Sequence, residues 1–342
     1  MGETLADLGE WELIRRLGAF APPGQFADDA ALLARATDSA EQLVVNSDVL
    51  VEGVHFSDAT TGPADVGWRA AAANLSDLAA MGCTEVVGLT VALVAPGGTA
   101  WSWVEGVYEG LQQALAAHGG EILGGDCSSG GQRLLAITAL GRLSRDGGPI
   151  RRADGQPGDQ LVCTGPHGLS RLGLALLQGE IQLPTGVGRE GETASALATR
   201  AIGAHRRPQP RFDAVHALLT SRPAALPWRV GGCDSSDGLA AAVAAIAAAS
   251  GCAARLDRHA LPLDPAMAAR PEAERWCLDG GEDFELVLAL EPAWAAALLA
   301  TLPGTTVIGR LETGGRAGYL GWSDGSPWPG AASGIAGFQH FG

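Results

Sequence analysis

The chain has 342 residues and a formal net charge of −15 at pH 7, and all 23 of its basic residues are arginines because it contains no lysine. So acidic a balance argues against a nucleic-acid partner, which needs a basic face. The missing lysine excludes the Gly-x-x-x-x-Gly-Lys phosphate loop, the lysine-dependent protein-kinase site and Schiff-base chemistry.

At this length two domains are expected, since single cores stop growing near roughly 250 to 300 residues. The composition is that of a soluble globular protein, no segment is long and apolar enough to span a bilayer, and residues 1–10 lack the pattern of a secretion signal. A cytoplasmic protein with no membrane partner is expected. The six cysteines form no Cys-x-x-Cys pair, so small buried thiols are expected rather than a zinc site.

In chain order, residues 10–17 predict an amphipathic helix with Trp11, Ile14 and Leu17 on one face. A Pro-Pro-Gly loop follows and delivers Asp28-Asp29 into an apolar strand start. Residues 42–45 predict a short strand that runs into an acidic turn at Asn46-Ser47-Asp48. Residues 68–81 predict an Ala-rich helix capped by Gly82, with Asn74 and Asp77 three apart and so on one face. A strand over 86–94, a helix over 101–118, a turn at Gly124-Gly125-Asp126 and a strand over 134–143 complete an α+β first half. Polar, Gly- and Pro-rich residues 144–159 place a boundary near residue 147, giving domains 1–147 and 148–342.

The second half opens with a strand over 160–164, a Gly165-Pro166-His167-Gly168 turn and a helix over 169–178. A loop-like insert over 180–194 and the basic cluster 205–211 follow, the latter as much a solvated surface as a phosphate clamp. Asp234-Ser235-Ser236-Asp237-Gly238 opens a helix over 239–249, whose free N-terminal amides can face phosphate. Gly280-Gly281-Glu282-Asp283 leads into a strand over 284–290.

Carboxylates beside Gly, Ser or Ala sit where the backbone is tight, which suits hard cations such as Mg²⁺ held between protein oxygens and phosphate. Singly, a Gly-Gly-Asp or Ser-Asp-Gly is more often a turn or helix cap. Five such acidic segments in one lysine-free chain reverse those odds, because a phosphate site here must neutralise charge with metal and arginine.

Asp28-Asp29, Ser47-Asp48 with the following 49–56, residues 74–82, Gly124-Gly125-Asp126, residues 234–239 and residues 280–286, taken in order, resemble the thiamine-monophosphate kinase family. The match runs over essentially the whole chain. That family belongs to an ATP-binding superfamily that includes aminoimidazole ribonucleotide synthetase, selenophosphate synthetase and the hydrogenase-maturation dehydratase. The resemblance implies a two-domain aminoimidazole ribonucleotide synthetase-like α+β fold. Its N-terminal sheet-plus-helices domain would pair with a second subunit in a homodimer, and its C-terminal domain would be α/β-layered, with ATP in the cleft between the two. The implied reaction is Mg²⁺-dependent transfer of the ATP γ-phosphoryl group to thiamine monophosphate, giving thiamine diphosphate and ADP.

Carried over by position, the resemblance assigns Asp29, Asn46, Ser47, Asp48, Asp77, Asp126, Asp234 and Asp237 to several Mg²⁺ ions, with a monovalent cation as a further candidate. Gly125, Asp126, Arg152, Ser236 and Tyr108 become ATP contacts, and His55, Glu282 and Phe338 thiamine-phosphate contacts. No covalent or general-base residue is implied. Three positions depart from the family pattern, namely Ala27 for Gly, Asn46 for Ser or Thr, and Cys127-Ser128 for Thr-Thr; none removes a carboxylate. The alternatives are another enzyme of the superfamily, or a non-catalytic nucleotide- or metal-binding regulator. Selenophosphate synthetase would want a reactive Cys and a lysine near the N-terminus. The hydrogenase-maturation relative would want a C-terminal cysteine, where this sequence reads Gln339-His340-Phe341-Gly342.

Overall fold

The computed structural model describes residues 4–33, 42–183 and 193–329 and divides them between two sheets. Helix α1 (Leu5–Leu17) is broken at Gly9, whose φ of 70° and ψ of 167° are not helical, so its second segment starts at residue 10 as the apolar stripe predicts. A short first segment, closed by a reciprocal capping box between Thr4 and Asp7, precedes it. No residue of α1 is buried and Trp11 is 56% exposed, so the predicted stripe is not covered by the described residues.

The first sheet has the order β1-β2-β5-β3-β4, built from β1 (Ala31–Leu32), β2 (Leu43–Val51), β3 (Cys83–Ala95), β4 (Glu121–Ser129) and β5 (Leu134–Leu143). Only β3 and β4 run parallel; the other neighbours are antiparallel. Two expected turns are strand interior instead: Asn46-Ser47-Asp48 lies within β2, and Gly124-Gly125-Asp126 within β4. Polar residues hid these strands because a two-residue alternation tolerates them wherever one face is not core.

Helices α2 (Pro63–Ala80) and α3 (Trp101–His118) cover one face of this sheet. Along β5 burial alternates residue by residue, with Leu135, Ile137 and Ala139 turned into the core. With Leu75, Leu78, Leu89 and Leu111 they are wholly buried, each large side chain contributing about 1.5–3 kcal/mol. The two helices cross at Gly67 and Gly110. A Cβ at either would sit 1.9 Å from a backbone oxygen of the other helix, Val107 O or Ala64 O, so only glycine allows this approach.

The second sheet has the order β11-β8-β10-β6-β9-β7. Its strands are β6 (Gln160–Cys163), β7 (Gly231–Asp234), β8 (Ala253–Leu256), β9 (Leu286–Leu290), β10 (Thr306–Glu312) and β11 (Leu320–Trp322). Strand β9 starts later than its apolar run suggests, because Glu282 and Phe284 hold φ of 57° and 52°, which no ladder accommodates. Around the sheet lie α4 (Leu169–Leu177), α5 (Ala194–Arg206), α6 (Phe212–Ser221), α7 (Leu239–Ala249), α8 (Ala273–Asp279) and α9 (Pro292–Thr301). One apolar cluster runs from the first sheet through α6 and α9 to β9, taking in Ile137, Val215, Leu218, Leu288 and Leu298. The Trp68 indole of α2 adds a hydrogen bond to Pro208 O, 2.8 Å. Helix α2 therefore belongs to the joint between the sheets as much as to the first of them. No helix among the described residues is long and apolar enough to cross a membrane.

Candidate functional site

Three carboxylates meet where the two sheets approach. Asp29 comes from the turn before β1, Asp77 from the last turns of α2 and Asp234 from the end of β7; one ligand oxygen from each lies within 4.8 Å of the others. Helical spacing explains the wall beside them. Asn74, one turn before Asp77, accepts from the Asp48 amide at 3.1 Å and from Asn46 Nδ2 at 3.2 Å, while its own amide donates to Ala70 O at 2.9 Å. Asn46 Nδ2 also donates to Asp77 Oδ2 at 2.6 Å, which turns Asn46 Oδ1 away; that oxygen is buried and meets no donor among the described residues. Ser76 Oγ donates to Asp234 Oδ2 at 2.6 Å and Ser236 Oγ to Asp234 Oδ1 at 3.0 Å.

Crowding these acids makes their charged forms costly. Burial pushes Asp29 up to about 7, with Arg152 pulling against it and Asp234 and Asp28 adding to it. Asp77 is raised well above the carboxylate range by burial first, then by Asp234, Asp48 and Asp29. Arg152 meets the cluster through an ion pair with Asp29, and its amide donates to Asp28 Oδ1 at 2.8 Å. Oxygen donors of this kind, with an orphaned amide oxygen among them, match what a hard divalent cation binds.

A second group of expected site residues stands apart. Asp48, Ile137, Val91 and Gly125 form one row across β2, β5, β3 and β4, and Val49, Ala136, Ala92 and Asp126 form the next. Three strand spacings separate Asp126 from β2, about 14 Å. Alternation also turns the Asp126 row, like Ser47, away from the face that carries Ile137 and the helices. Ser47 Oγ is engaged with Ile137 O at 2.9 Å and Thr138 Oγ1 at 3.1 Å. Tyr108, on α3, lies beside Cys127 of β4; burial and that thiol raise its hydroxyl pKa. One chain thus gathers Asp29, Asn46, Asp48, Asp77, Arg152, Asp234 and Ser236, and leaves Tyr108, Gly125 and Asp126 at the far edge of the first sheet. Strand order is the reason, since β4 follows β3 in sequence yet lies farthest from β2.

Next to the cluster, the turn over 234–238, which contains Asp237, meets the loop before β9: the Glu282 amide donates to Ser236 O at 2.7 Å. The Glu282 carboxylate pairs with Arg69 of α2 and lies 3.4 Å from His205 Nδ1. Burial works against its charge, yet Arg69 and His205 outweigh burial and hold it down to about 2. His55 Nδ1 accepts from the Val51 amide at 3.0 Å, which places its ring proton on Nε2. Phe338 lies outside the described residues, as does most of the insert expected over 180–194.

Sequence reasoning missed Ser76, Arg69 and His167 as parts of this site, and placed His205 only within the basic cluster 205–211, where a solvated surface and a phosphate clamp weighed equally. His167 is wholly buried, with Nε2 at 2.9 Å from Ser235 Oγ and Nδ1 at 3.2 Å from Gly165 O. Burial lowers it to about 4, against the pull of the Gly165 carbonyl, so it is neutral at pH 7 and backs the 234–238 turn from behind. A histidine between Pro166 and Gly168 in a turn gives no local hint of such a role.

Comparison with known proteins now bears on this geometry. Residues 27–143 match the family of the AIR synthase related protein, N-terminal domain, and residues 156–319 that of the AIR synthase related protein, C-terminal domain. The chain is 46% identical over 314 residues to thiamine-monophosphate kinase of Prochlorococcus marinus, covering 91% of each. It is 48% identical over 309 residues to the enzyme of that name from Synechococcus elongatus, covering 90% of each. Among solved structures it superposes on AaThiL complexed with AMPPCP and TMP with a TM-score of 0.80 at 26% identity, covering 99% of both chains. The HypE–HypF complex shares the fold at a TM-score of 0.68 and 16% identity, covering 92% of this chain and 97% of that one.

Proposed function

The chain belongs to the thiamine-monophosphate kinase family, and from that premise we infer that it transfers the γ-phosphoryl group of ATP to thiamine monophosphate, giving thiamine diphosphate and ADP. One observation carries this reading to the residues: three carboxylates, Asp234 buried and Asp29 and Asp77 half-buried, share a space of 4.8 Å with two of them held reluctant to ionise, an arrangement that calls for added positive charge. Asp29, Asp77, Asp234, Asp48 and the free Asn46 oxygen would hold Mg²⁺. More than one ion is proposed, as the family resemblance implies, because the four carboxylates gathered at the cluster, Asp29, Asp48, Asp77 and Asp234, together with ATP carry more negative charge than one divalent ion balances. Bound Mg²⁺ would neutralise charge building on the transferred phosphoryl group. No donor set among the described residues points to a monovalent cation.

The chain's own groups supply alignment. Arg152, set against Asp29, adds the fixed positive charge that lysine supplies elsewhere, and Ser236 stands at the turn that opens α7. Glu282, His55 and Phe338 are assigned to the thiamine phosphate. Its phosphate is ionised at neutral pH and attacks without a general base, so transfer is direct and in line. Incubation with γ-labelled ATP should leave no labelled protein after denaturation; a trapped phosphoenzyme would contradict this.

We further propose a homodimer in which the second copy brings Tyr108, Gly125 and Asp126 to the cluster. The support is the open face of the first sheet, where Val49 is 42% exposed, and the exposed edge strand β4, where Leu123 is 46% exposed. The domain boundary is placed near residue 147, between β5 and β6. The direct test is ADP release with thiamine monophosphate, with thiamine or with no acceptor. Turnover on the monophosphate alone is expected, and equal turnover on thiamine would sink the assignment.

A further inference from the structure

We propose that Arg69 is a positioning residue for the substrate-site carboxylate: from α2 it reaches across the joint between the sheets and sets the orientation of Glu282. The inference rests on the reading of Glu282 as a thiamine-phosphate contact given above.

Arg69 is 4% exposed and sits in the middle of an otherwise apolar helix stretch, a costly place for a guanidinium unless its charge is paired; its two Nη groups are engaged, while its buried Nε meets no partner among the described residues. Its Nη2 pairs with Glu282 Oε1 and its Nη1 donates to His205 O, so one planar group ties α2 to the loop before β9 and to the end of α5. The other carboxylate oxygen of Glu282 lies 3.4 Å from His205 Nδ1, which in turn lies 3.3 Å from Ser170 Oγ. Both oxygens are therefore addressed from the protein side, while the side chain keeps 34% of its surface open.

The backbone needs this hold. Glu282 occupies left-handed space with φ of 57°, a conformation disfavoured for a residue that carries a side chain, and the adjoining Gly281 is left-handed too. The Glu282 amide bond to Ser236 O fixes the loop, and Arg69 fixes the side chain.

The same helix face carries Ser76 and Asp77, seven and eight residues further on, so α2 spaces the carboxylate cluster from Glu282 by two turns, about 11 Å along its axis. A rigid helix anchored at both ends keeps donor and acceptor halves of the site in register. Because Arg69 balances its charge, Glu282 offers a ligand an oriented carboxylate edge rather than an excess of negative charge.

The test uses the full-length, Mg²⁺-loaded enzyme and compares Arg69→Met, Arg69→Lys, Glu282→Gln and the Arg69→Met/Glu282→Gln double variant. Arg69→Met and Glu282→Gln are each expected to raise KM for thiamine monophosphate by about 10-fold or more, the size of a lost charge-assisted hydrogen bond, with KM for ATP within about 3-fold. The double variant should be no worse than Glu282→Gln, and Arg69→Lys, which keeps charge but loses the fork, should fall between. Should Arg69→Met fail to fold, a selective rise in the monophosphate KM of Arg69→Lys supports the proposal in its place. A lowered melting temperature with unchanged KM, or equal rises in both KM values, would make Arg69 merely structural and overturn the proposal. A normal KM in Glu282→Gln would instead remove the Glu282 reading, and the proposal with it.

Discussion

Replacing His167 by Gln removes a buried titration and should change how the protein responds to acid. In the fold His167 is held at about 4, against an ordinary value of 6.5, because burial disfavours the imidazolium. The unfolded chain therefore binds more protons between these values, and stability falls as pH falls through them. It is fully present above about 6.5 and lost towards about 4. With these two values the loss amounts to about 2 kcal/mol between pH 7 and pH 5, and about 3 kcal/mol by pH 4. The side chain is wholly buried, so solvent screening does not reduce the figure. Glutamine can keep a bond to Ser235 but cannot titrate. At pH 7 the variant should be less stable by about 1 kcal/mol for the bond lost to Gly165. Its deficit should shrink and then reverse on acidification. Urea unfolding followed by tryptophan fluorescence, in chelator and at several pH values, gives both profiles. Taking the difference between them cancels the opposing titrations of Asp29, Asp77 and Asp283, the last pushed by burial up to about 7. Parallel profiles from pH 7 to pH 4 would refute the reasoning.

Asp77→Asn should reduce turnover by on the order of 10³-fold. It should also raise the thermal midpoint of the metal-free protein at neutral pH, because it relieves crowding among Asp29, Asp48 and Asp234; calorimetry with and without Mg²⁺ would show a diminished metal response. Arg152→Met should raise KM for ATP by about 10-fold or more, with little change in KM for thiamine monophosphate, as steady-state kinetics would reveal. Asp48→Asn and Asp126→Asn should each be inactive, yet mixing and re-equilibrating them should restore about a quarter of wild-type activity, because half the dimers regain one intact site. No recovery, in a mixture shown to exchange subunits, would place Asp126 and Asp48 of one chain in one site after all.

How much of this was legible depends on whether the signal is local. The bounds of α3 and α7 agree with their patterns, because apolar spacing and flanking glycines act within a few residues. Asn74 and Asp77 could be placed on one helix face for the same reason. The strand character of Asn46-Ser47-Asp48 was hidden, because their neighbours on β5 lie some ninety positions away. Arg69 was invisible as a site residue, since Glu282 lies 213 positions further along the chain and an arginine among alanines looks like a solvated helix face. The separation of Asp126 from Asp48 follows from the strand order, which no local motif encodes.

The crossing of α2 and α3 carries a consequence for tolerated variation. Gly67 and Gly110 touch no proposed ligand, yet a methyl group at either would push α2 off its seat and turn Arg69, Asn74 and Asp77 together. In a saturation mutagenesis scored by growth on enzyme activity, these two remote glycines should show the intolerance of the carboxylates themselves. A map of mutational sensitivity would then draw the active site larger than its chemistry, with two of its boundary stones on the far side of a helix.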